Sequence, residues 1–275
     1  MTAPRPGRTL FVGCGRLGLR VGAALSATGV EVLALRRDPG AVPASFRAVA
    51  ADLAQPLTDP LPHCESMLIT LPPPDAADGY GTPLRHLAQA LPARPSRTVY
   101  VSSTRVFEGY AGLGDPAPVL TEDDPPRPLS ARGRVLVEGE RLAEELFGAI
   151  VVRPAGIYGP GRDRLPRTVR EARPIEHRRR TNRIHEDDLV RVLQSLLLHP
   201  EPPRLLHAVD GAPARLGEVV THIAGRLSLP IPPPVDPDPG HGTVLDGSRM
   251  AALLGQLSYP DFRVGYDAML ADPGC

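Results

Sequence analysis

The sequence predicts an α/β fold with a doubly wound parallel sheet, and three observations carry that expectation. Short, strongly apolar runs such as Leu10–Val12 and Met67–Leu71 recur along the chain, as in strands buried on both faces. Stretches with apolar residues at helical spacing alternate with them, for example Leu84, Leu87, Ala88 and Leu91. Between the first run and the first helical stretch stand Gly13, Gly15 and Gly18, at G-x-G-x-x-G spacing.

Strand, glycine turn and helix in that order are the context in which this motif holds a dinucleotide. Gly13 permits a tight turn, Gly15 lets backbone approach a pyrophosphate, and Gly18 lets the helix pack close to the strand. The intervening Cys14, Arg16 and Leu17 offer backbone N–H groups at the positive end of the helix. Gly22 adds a small face to the same helix, whose apolar side is Leu17, Val21, Ala24, Leu25 and Thr28. The fold class is therefore a Rossmann-type α/β sheet, with 1–155 as the dinucleotide-binding core. Residues 156–275 form a smaller substrate-side region, and strand 205–209 returns to the sheet.

The 275 residues suffice for a substantial core, and 31 basic residues balance 31 acidic ones. No overall field favours nucleic acid or an anionic membrane. Cys14, Cys64 and Cys275 are scattered and odd in number, which suggests neither a disulfide framework nor a metal site and fits a reducing cytoplasm. No N-terminal apolar segment reads as a leader or a membrane span. All 31 basic side chains are arginine, so this chain can supply no lysine to a Schiff base, a phosphate loop or a tyrosine relay.

Glu31–Leu35 reads as the second strand. Its end carries Arg36 and Arg37, with Asp38 following, where an acidic residue would hold an adenosine ribose. A guanidinium fork there suits a 2′-phosphate, favouring NADP(H); Asp38 keeps NAD(H) open, and a solvated arginine pair is the bland alternative. Phe46–Leu53 reads as a third strand ending in Asp52 and Leu53. Met67–Leu71 runs into Pro72 and Pro73, at the carboxyl end where ligands of open sheets bind. A helix over 79–91 precedes a fifth strand, Thr98–Val101, whose end carries Ser102, Ser103 and Thr104. Residues 109–128 form a long loop rich in Gly, Pro and Asp.

A helix follows over 130–147, with Val135, Leu142 and Leu146 toward the core, then a strand at Ile150–Val152 leading into a shaped Gly/Pro loop. Residues 162–171 read as a short basic helix, and His177–Arg180 as a solvated charge run or an anionic substrate's landing site. A helix starts within 182–189, capped by Asp187 or a neighbour, with Leu189, Val192, Leu193, Leu196 and Leu197 on its apolar face. Leu205–Val209 is a strand, and Leu216, Val219, Val220, Ile223 and Leu227 mark a helix. The proline-rich remainder shows one short helix near 248–254.

Four segments together resemble the extended branch of the short-chain dehydrogenase/reductase superfamily, which includes NAD-dependent epimerases and dehydratases. These are the glycine turn; Val101–Phe107, similar to S-S-x-x-V-Y; Arg153–Gly161, R-P-A-G-I-Y-G-P-G; and Arg183–Leu189, similar to V-H-x-x-D-L. The resemblance implies that Ser103 is the catalytic hydroxyl, and that Ser102, Leu71–Pro73, Arg153 and Pro154 line the cofactor. It also places Thr104, Arg162 and Arg183 on the substrate side. His185 and Asp188 fall in a segment that closes the substrate region, with Asp188 structural. The family's Y-x-x-x-K pair is absent: Ser130 stands in the tyrosine's place and Arg134, at the cofactor, in the lysine's. A serine is too weak an acid to replace that tyrosine unaided. Tyr110, Tyr158, His185 or a water chain would have to supply the proton. The resemblance also suggests a homodimer through helices 79–91 and 130–147. Two functions follow: an NADP(H)-dependent oxidoreductase or epimerase on a small or sugar-like substrate, or a non-catalytic NADP(H)-binding redox sensor.

Overall fold

Apolar runs bounded by turn residues become strands because their side chains need cover on both faces. A computed structural model describes residues 7–74, 78–113 and 116–271. The central sheet has seven strands: β1 (Arg8–Val12), β2 (Glu31–Arg36), β3 (Arg47–Ala50), β4 (Ser66–Ile69), β5 (Arg97–Val101), β7 (Ile150–Pro154) and β11 (Leu205–Ala208). Their order is β11-β7-β5-β4-β1-β2-β3. β1 lies parallel to β2 and β4, with Leu10 opposite Leu33 on one side and Met67 on the other. β2–β3, β4–β5 and β5–β7 are parallel as well. The amides of Val151 and Ala155 donate to the carbonyls of Arg204 and Ala208 at constant offset, which makes the last pair parallel too. Strand order reverses at β1 and β4, so their carboxyl ends form the switch point where such sheets take ligands.

The chain divides into two compact units. One comprises Met1–Val106, Pro128–Arg153 and Val190–Leu206; the other comprises Phe107–Arg127, Pro154–Leu189 and His207–Cys275. In the first, α1 (Arg16–Ser26) buries Gly18, Val21, Gly22 and Leu25. The close helix–sheet approach expected at Gly18 falls instead one turn later. A Cβ on Gly18 would make ordinary contacts from 3.5 Å outward, whereas on Gly22 it would lie 2.9 Å from the Phe46 ring and 3.3 Å from Val32. α2 (Gly81–Ala90) packs against α3 (Ala131–Phe147) over the edge-to-face pair Tyr80–Tyr100. A Cβ on Gly139 of α3 would strike the Tyr100 hydroxyl and the Tyr80 ring.

The phase of α3 differs from the expected one. Its buried face is Leu136, Gly139, Glu140, Leu142, Ala143 and Phe147, while Val135 and Leu146 are only half-buried. The face is turned because it carries a buried carboxylate that hydrophobic spacing does not reveal. Ion pairs from Arg141 to Glu138 (2.7 Å) and to Glu145 (2.5 Å) cover the outer side.

The second unit contains three small two-stranded sheets. β6 (Val119–Leu120) pairs with β13 (Val244–Leu245), β8 (Gly156–Tyr158) with β10 (Arg183–His185), and β9 (Arg180–Thr181) with β12 (Ala214–Arg215). The helix start expected within 182–189 falls at Glu186, where α5 (Glu186–Leu198) begins directly after the unexpected short strand that ends at His185. The first-turn N–H of Asp187 donates to His185 Nδ1 (3.2 Å), so of Asp187 and its neighbours it is His185 that caps the helix. α4 (Arg164–Arg170), α6 (Leu216–Leu227), α7 (Ser248–Leu254) and α8 (Phe262–Ala271) complete the unit. Its core gathers Tyr158, Val169, Val219, Ile223, Phe262 and Tyr266. α8 escaped the sequence reading because Gly265 interrupts its apolar stripe; a Cβ there would collide with the Tyr158 hydroxyl. The proline-rich stretch is anchored at Ile175, whose N–H and C=O bond Pro233 O and Val235 N. No helix among the described residues is long and apolar enough to cross a membrane.

The two glycines of α1 should behave differently. Gly18→Ala is expected to keep or raise the melting temperature, since alanine favours a helix by up to about 1 kcal/mol over glycine. Gly22→Ala is expected to cost about 1–3 kcal/mol by overpacking against Phe46. Thermal unfolding followed by circular dichroism checks this, and equal shifts in the two variants would refute the packing assignment.

Candidate functional site

At the switch point, the turn after β1 is held from three sides. The Gly13 N–H donates to Leu35 O (3.3 Å), and its carbonyl accepts from Gly15 N (2.6 Å) and from Thr70 Oγ1 (2.7 Å). Gly13 has φ +77°, and a Cβ there would lie 3.0–3.2 Å from Leu71, so the fold itself requires glycine. Gly15 is different. It is the N-cap of α1 with φ −82°, and a Cβ would meet nothing nearer than Gly13 O at 3.8 Å. No side chain caps this helix and no acid stands in its first turn, so the first N–H groups and the helix dipole face outward for an anion. Arg16 is exposed and Leu17 half-buried. The Cys14 thiol is buried, and burial raises it to about 11 against the opposing charge of Arg36; it is a packing group rather than a nucleophile.

Arg36 is half-buried at the end of β2, and Arg37 is exposed. The Asp38 carboxylate accepts from Gly40 N (2.9 Å) and caps the turn at Pro39–Ala41. Asp52 is exposed and accepts from Ala54 N, while Leu53 is buried and its carbonyl binds His86 Nδ1 (3.0 Å). Strand β3 stops at Ala50, short of both. After β4, Leu71 covers Gly13 and its carbonyl accepts from Tyr80 OH (3.0 Å); Pro72 is exposed and Pro73 half-buried. The residues present thus fit a pyrophosphate-bearing cofactor: an uncapped helix end, a glycine with open space above it and a cation one strand away.

At the end of β5, Ser102 Oγ donates to Glu140 Oε1 (2.5 Å). Arg153, at the end of β7, grips the same carboxylate with Nε at 3.0 Å and Nη2 at 2.7 Å. Both side chains are under a tenth exposed, which makes this a desolvated, bidentate pair. Ser102 is thereby fixed inward. Ser103 is half-buried, and its Oγ accepts from Arg105 N (3.2 Å), just before the kinked helical segment Thr104–Tyr110. Ser130 is the N-cap of α3, its Oγ accepting from Gly133 N (3.0 Å). Arg134 is exposed, and its Nη1 donates to Leu129 O (2.7 Å). Ser130 and Arg134 are therefore both engaged at the start of α3.

The other expected proton donors are also structurally engaged. Tyr110 OH donates to Pro125 O (3.0 Å) within the loop. Tyr158 is buried, stacked on Tyr266 at 4.8 Å, with its hydroxyl donating to Asp261 O (3.3 Å). Burial, with the Asp210 charge adding to it, pushes this phenol far above its ordinary range, so it is a core residue and a poor acid. His185 is buried between Tyr158, edge-on at 5.2 Å, and Tyr259, stacked at 3.6 Å. Its Nδ1 acts as acceptor, which puts the neutral ring's proton on Nε2. Arg162 reaches the fully buried Glu186 carboxylate with Nε at 3.1 Å and Nη2 at 3.0 Å. Asp188 accepts from Ser258 N and Tyr259 N, a structural clasp.

Arg183 is buried, its guanidinium 5.4 Å from the Phe262 ring and its Nη2 on Thr181 Oγ1. Beside it lies Asp210, which the sequence reading passed over although a lone acid directly after a strand was visible. The Asp210 amide donates to Arg183 O (2.7 Å), and its Oδ1 accepts from Ala212 N (3.2 Å). Burial raises the Asp210 carboxyl to about 7. The Ala212 amide and Arg183 oppose the rise, while Asp261 and Asp188 add to it.

The class these features define is a Rossmann-type nucleotide-binding fold. Residues 80–190 match the family profile of the RmlD substrate binding domain. No curated protein matches the chain. Among solved structures, one from Methylobacillus flagellatus, provisionally described as an NAD-dependent epimerase/dehydratase, is 29% identical with a TM-score of 0.78, over 96% of this chain and 98% of the other. A conserved protein of unknown function from Silicibacter pomeroyi DSS is 26% identical with a TM-score of 0.76, over 98% and 100%. The enzyme WbmG of Bordetella bronchiseptica, solved with NAD, shares the fold at 15% identity and TM-score 0.75, over 99% and 96%. The profile and the whole-chain likeness bear out the resemblance to epimerase/dehydratase-like proteins of the extended short-chain dehydrogenase/reductase superfamily.

Asp210 gives a pH-dependent prediction. Its folded-state pKa lies above the ordinary carboxylate value, so the folded protein holds a proton that the unfolded chain releases. Its contribution is therefore full below about pH 4 and lost as pH rises to about 7, by on the order of 4 kcal/mol. Asp210→Asn should leave stability at pH 4 almost unchanged and raise it at pH 8. Melting curves of both proteins across that range check this; a constant offset would contradict it.

Proposed function

We propose that the protein is an NADP(H)-dependent oxidoreductase or epimerase acting on a small or sugar-like substrate, with an acid/base other than a Tyr–Lys pair. The carrying observation is the glycine turn. Gly13 is demanded by the fold, but Gly15 is demanded by nothing in the protein, and an approaching pyrophosphate explains it. Neighbours of the same fold solved with NAD support a nicotinamide cofactor. Arg36 at the end of β2, with Asp38 occupied in its own turn, supports the 2′-phosphate form.

Nicotinamide supplies hydride chemistry when bound. The chain's part is to bind and orient. Gly13 to Gly18 and the start of α1 hold phosphate, and Arg36 holds the added charge. The Glu140–Arg153 pair fixes Ser102 and with it the backbone leading to Ser103. Ser103 Oγ accepts from Arg105 N, which leaves its own proton free to be donated to a substrate oxygen. A second reading, a redox sensor without turnover, is favoured by one specific observation: Ser130 and Arg134 are engaged in starting α3.

Fluorescence titration with both reduced dinucleotides tests the binding. NADPH is expected to bind about tenfold more tightly than NADH, and Arg36→Ala to level the two. Tighter NADH binding would overturn the cofactor preference, and binding of neither would overturn the reading. For turnover, NADPH consumption across aldehydes and ketoses should fall about a hundredfold in Ser103→Ala. Binding with no turnover on any of them would favour the sensor.

A further inference from the structure

Two side-chain hydrogen bonds tie β1 to β4, one at each end of the pair. At the amino end Thr9 Oγ1 and Ser66 Oγ lie 2.7 Å apart, both buried. At the carboxyl end Thr70 Oγ1 donates to Gly13 O (2.7 Å), one residue past the point where Val12 faces Ile69. The Thr70 N–H donates to Val12 O (2.9 Å), so its backbone continues the ladder while its side chain holds the glycine turn. A β-branched valine would serve the strand equally well, so strand pairing alone does not require the hydroxyl. What the hydroxyl holds is the Gly13 carbonyl, which also accepts from Gly15 N (2.6 Å). A Cβ built on Gly18 would lie 3.6 Å from Thr70 Oγ1, so the same hydroxyl lies against the first turn of α1.

We propose that Thr70 is a positioning residue for the dinucleotide's pyrophosphate: its hydroxyl turns the Gly13 carbonyl inward and locks the glycine turn in the conformation that presents the start of α1. Its role toward pyrophosphate rests on the dinucleotide reading above; the hydrogen bond itself does not. A peptide that follows a glycine at φ +77° is easily inverted, because no Cβ on that residue opposes the rotation. Turned outward, the carbonyl would repel the anion that the helix end attracts. Gly13, Gly15 and Gly18 also give the free turn a backbone entropy that binding must remove, so a turn already ordered binds more tightly. Two donors on one oxygen, Thr70 Oγ1 and Gly15 N, supply that order from inside the protein.

Four variants of the full-length protein test this by fluorescence titration with NADPH: Thr70→Val, Thr70→Ala, Thr70→Ser and Thr9→Val. Thr70→Val should bind NADPH about tenfold more weakly. Thr70→Ala should match it, so the result does not hang on one variant's folding. Thr70→Ser keeps the hydroxyl and should bind as the wild type does. Thr9→Val removes the other hydrogen bond between the same two strands. It should bind NADPH normally whatever it costs in melting temperature, which separates positioning from strand pairing. In the ligand-free proteins the NMR signal of the Gly15 amide, the second donor on the same carbonyl, should move in Thr70→Val and stay in place in Thr9→Val. Three results would overturn the inference: NADPH affinity unchanged in Thr70→Val and Thr70→Ala, an equal loss in Thr70→Ser, or an equal loss in Thr9→Val. A wild type that binds neither dinucleotide overturns this role together with the functional reading. A wild type that binds NADPH no better than Thr70→Val overturns the role of Thr70 alone.

Discussion

The buried ion pair of Arg153 and Glu140 is the constraint on which the first unit depends. It joins the carboxyl end of β7 to the middle of α3, and through Ser102 it reaches the carboxyl end of β5. Such a pair contributes little net stability when compared with apolar groups of the same size. Removal of one partner, however, strands a charge in the interior at a cost of about 3–5 kcal/mol. The pair therefore acts less as glue than as a register pin. α3 can have only the rotation that aims Glu140 at Arg153, and β5 must end where Ser102 can reach the same carboxylate. The position of Ser103, one residue further, follows from that pin and not from any contact of its own with the core.

Glycines sort by what demands them. Gly13, Gly22 and Gly139 are each explained by protein atoms: Leu71, Phe46, and the Tyr80–Tyr100 pair. Gly15 has no such explanation, since its conformation is open to any residue and the space above it is clear. A residue whose smallness serves nothing inside the protein points to something outside it. Here that residue sits at an uncapped helix end, at the strand-order reversal of a parallel sheet, where phosphate recognition needs backbone rather than side chains.

Most of the sheet and helices were legible because burial imposes a period on the sequence, and periods survive without coordinates. The β2, β4 and β5 runs, the α5 and α6 stripes and the short helix at 248–254 all came from that signal. What failed shares one cause: a partner distant in sequence. The phase of α3 was misread because Glu140 is polar in a core position, which only Arg153 explains. The close approach was assigned to Gly18 because Phe46 was not known to lie over Gly22. The strand at Arg183–His185 was missed because its apolar residues are too few to set a period, and its partner is Gly156–Tyr158. Within the site, the glycine turn and the end of β2 were readable as local motifs. Asp210 was visible as a lone acid directly after a strand, but its burial beside Arg183, Asp188 and Asp261, all far from it or unmarked in the sequence, was not.

Ser130 and Arg134, which the resemblance sets in the places of a tyrosine and a lysine, serve the start of α3. Serine is among the best N-caps, and its hydroxyl here accepts from Gly133 N as a cap does. An arginine keeps its proton throughout the accessible pH range, so even a well-placed Arg134 could hold an anion but never relay a proton. Tyr158 is removed from acid chemistry by burial, and His185 has one ring nitrogen committed to capping α5.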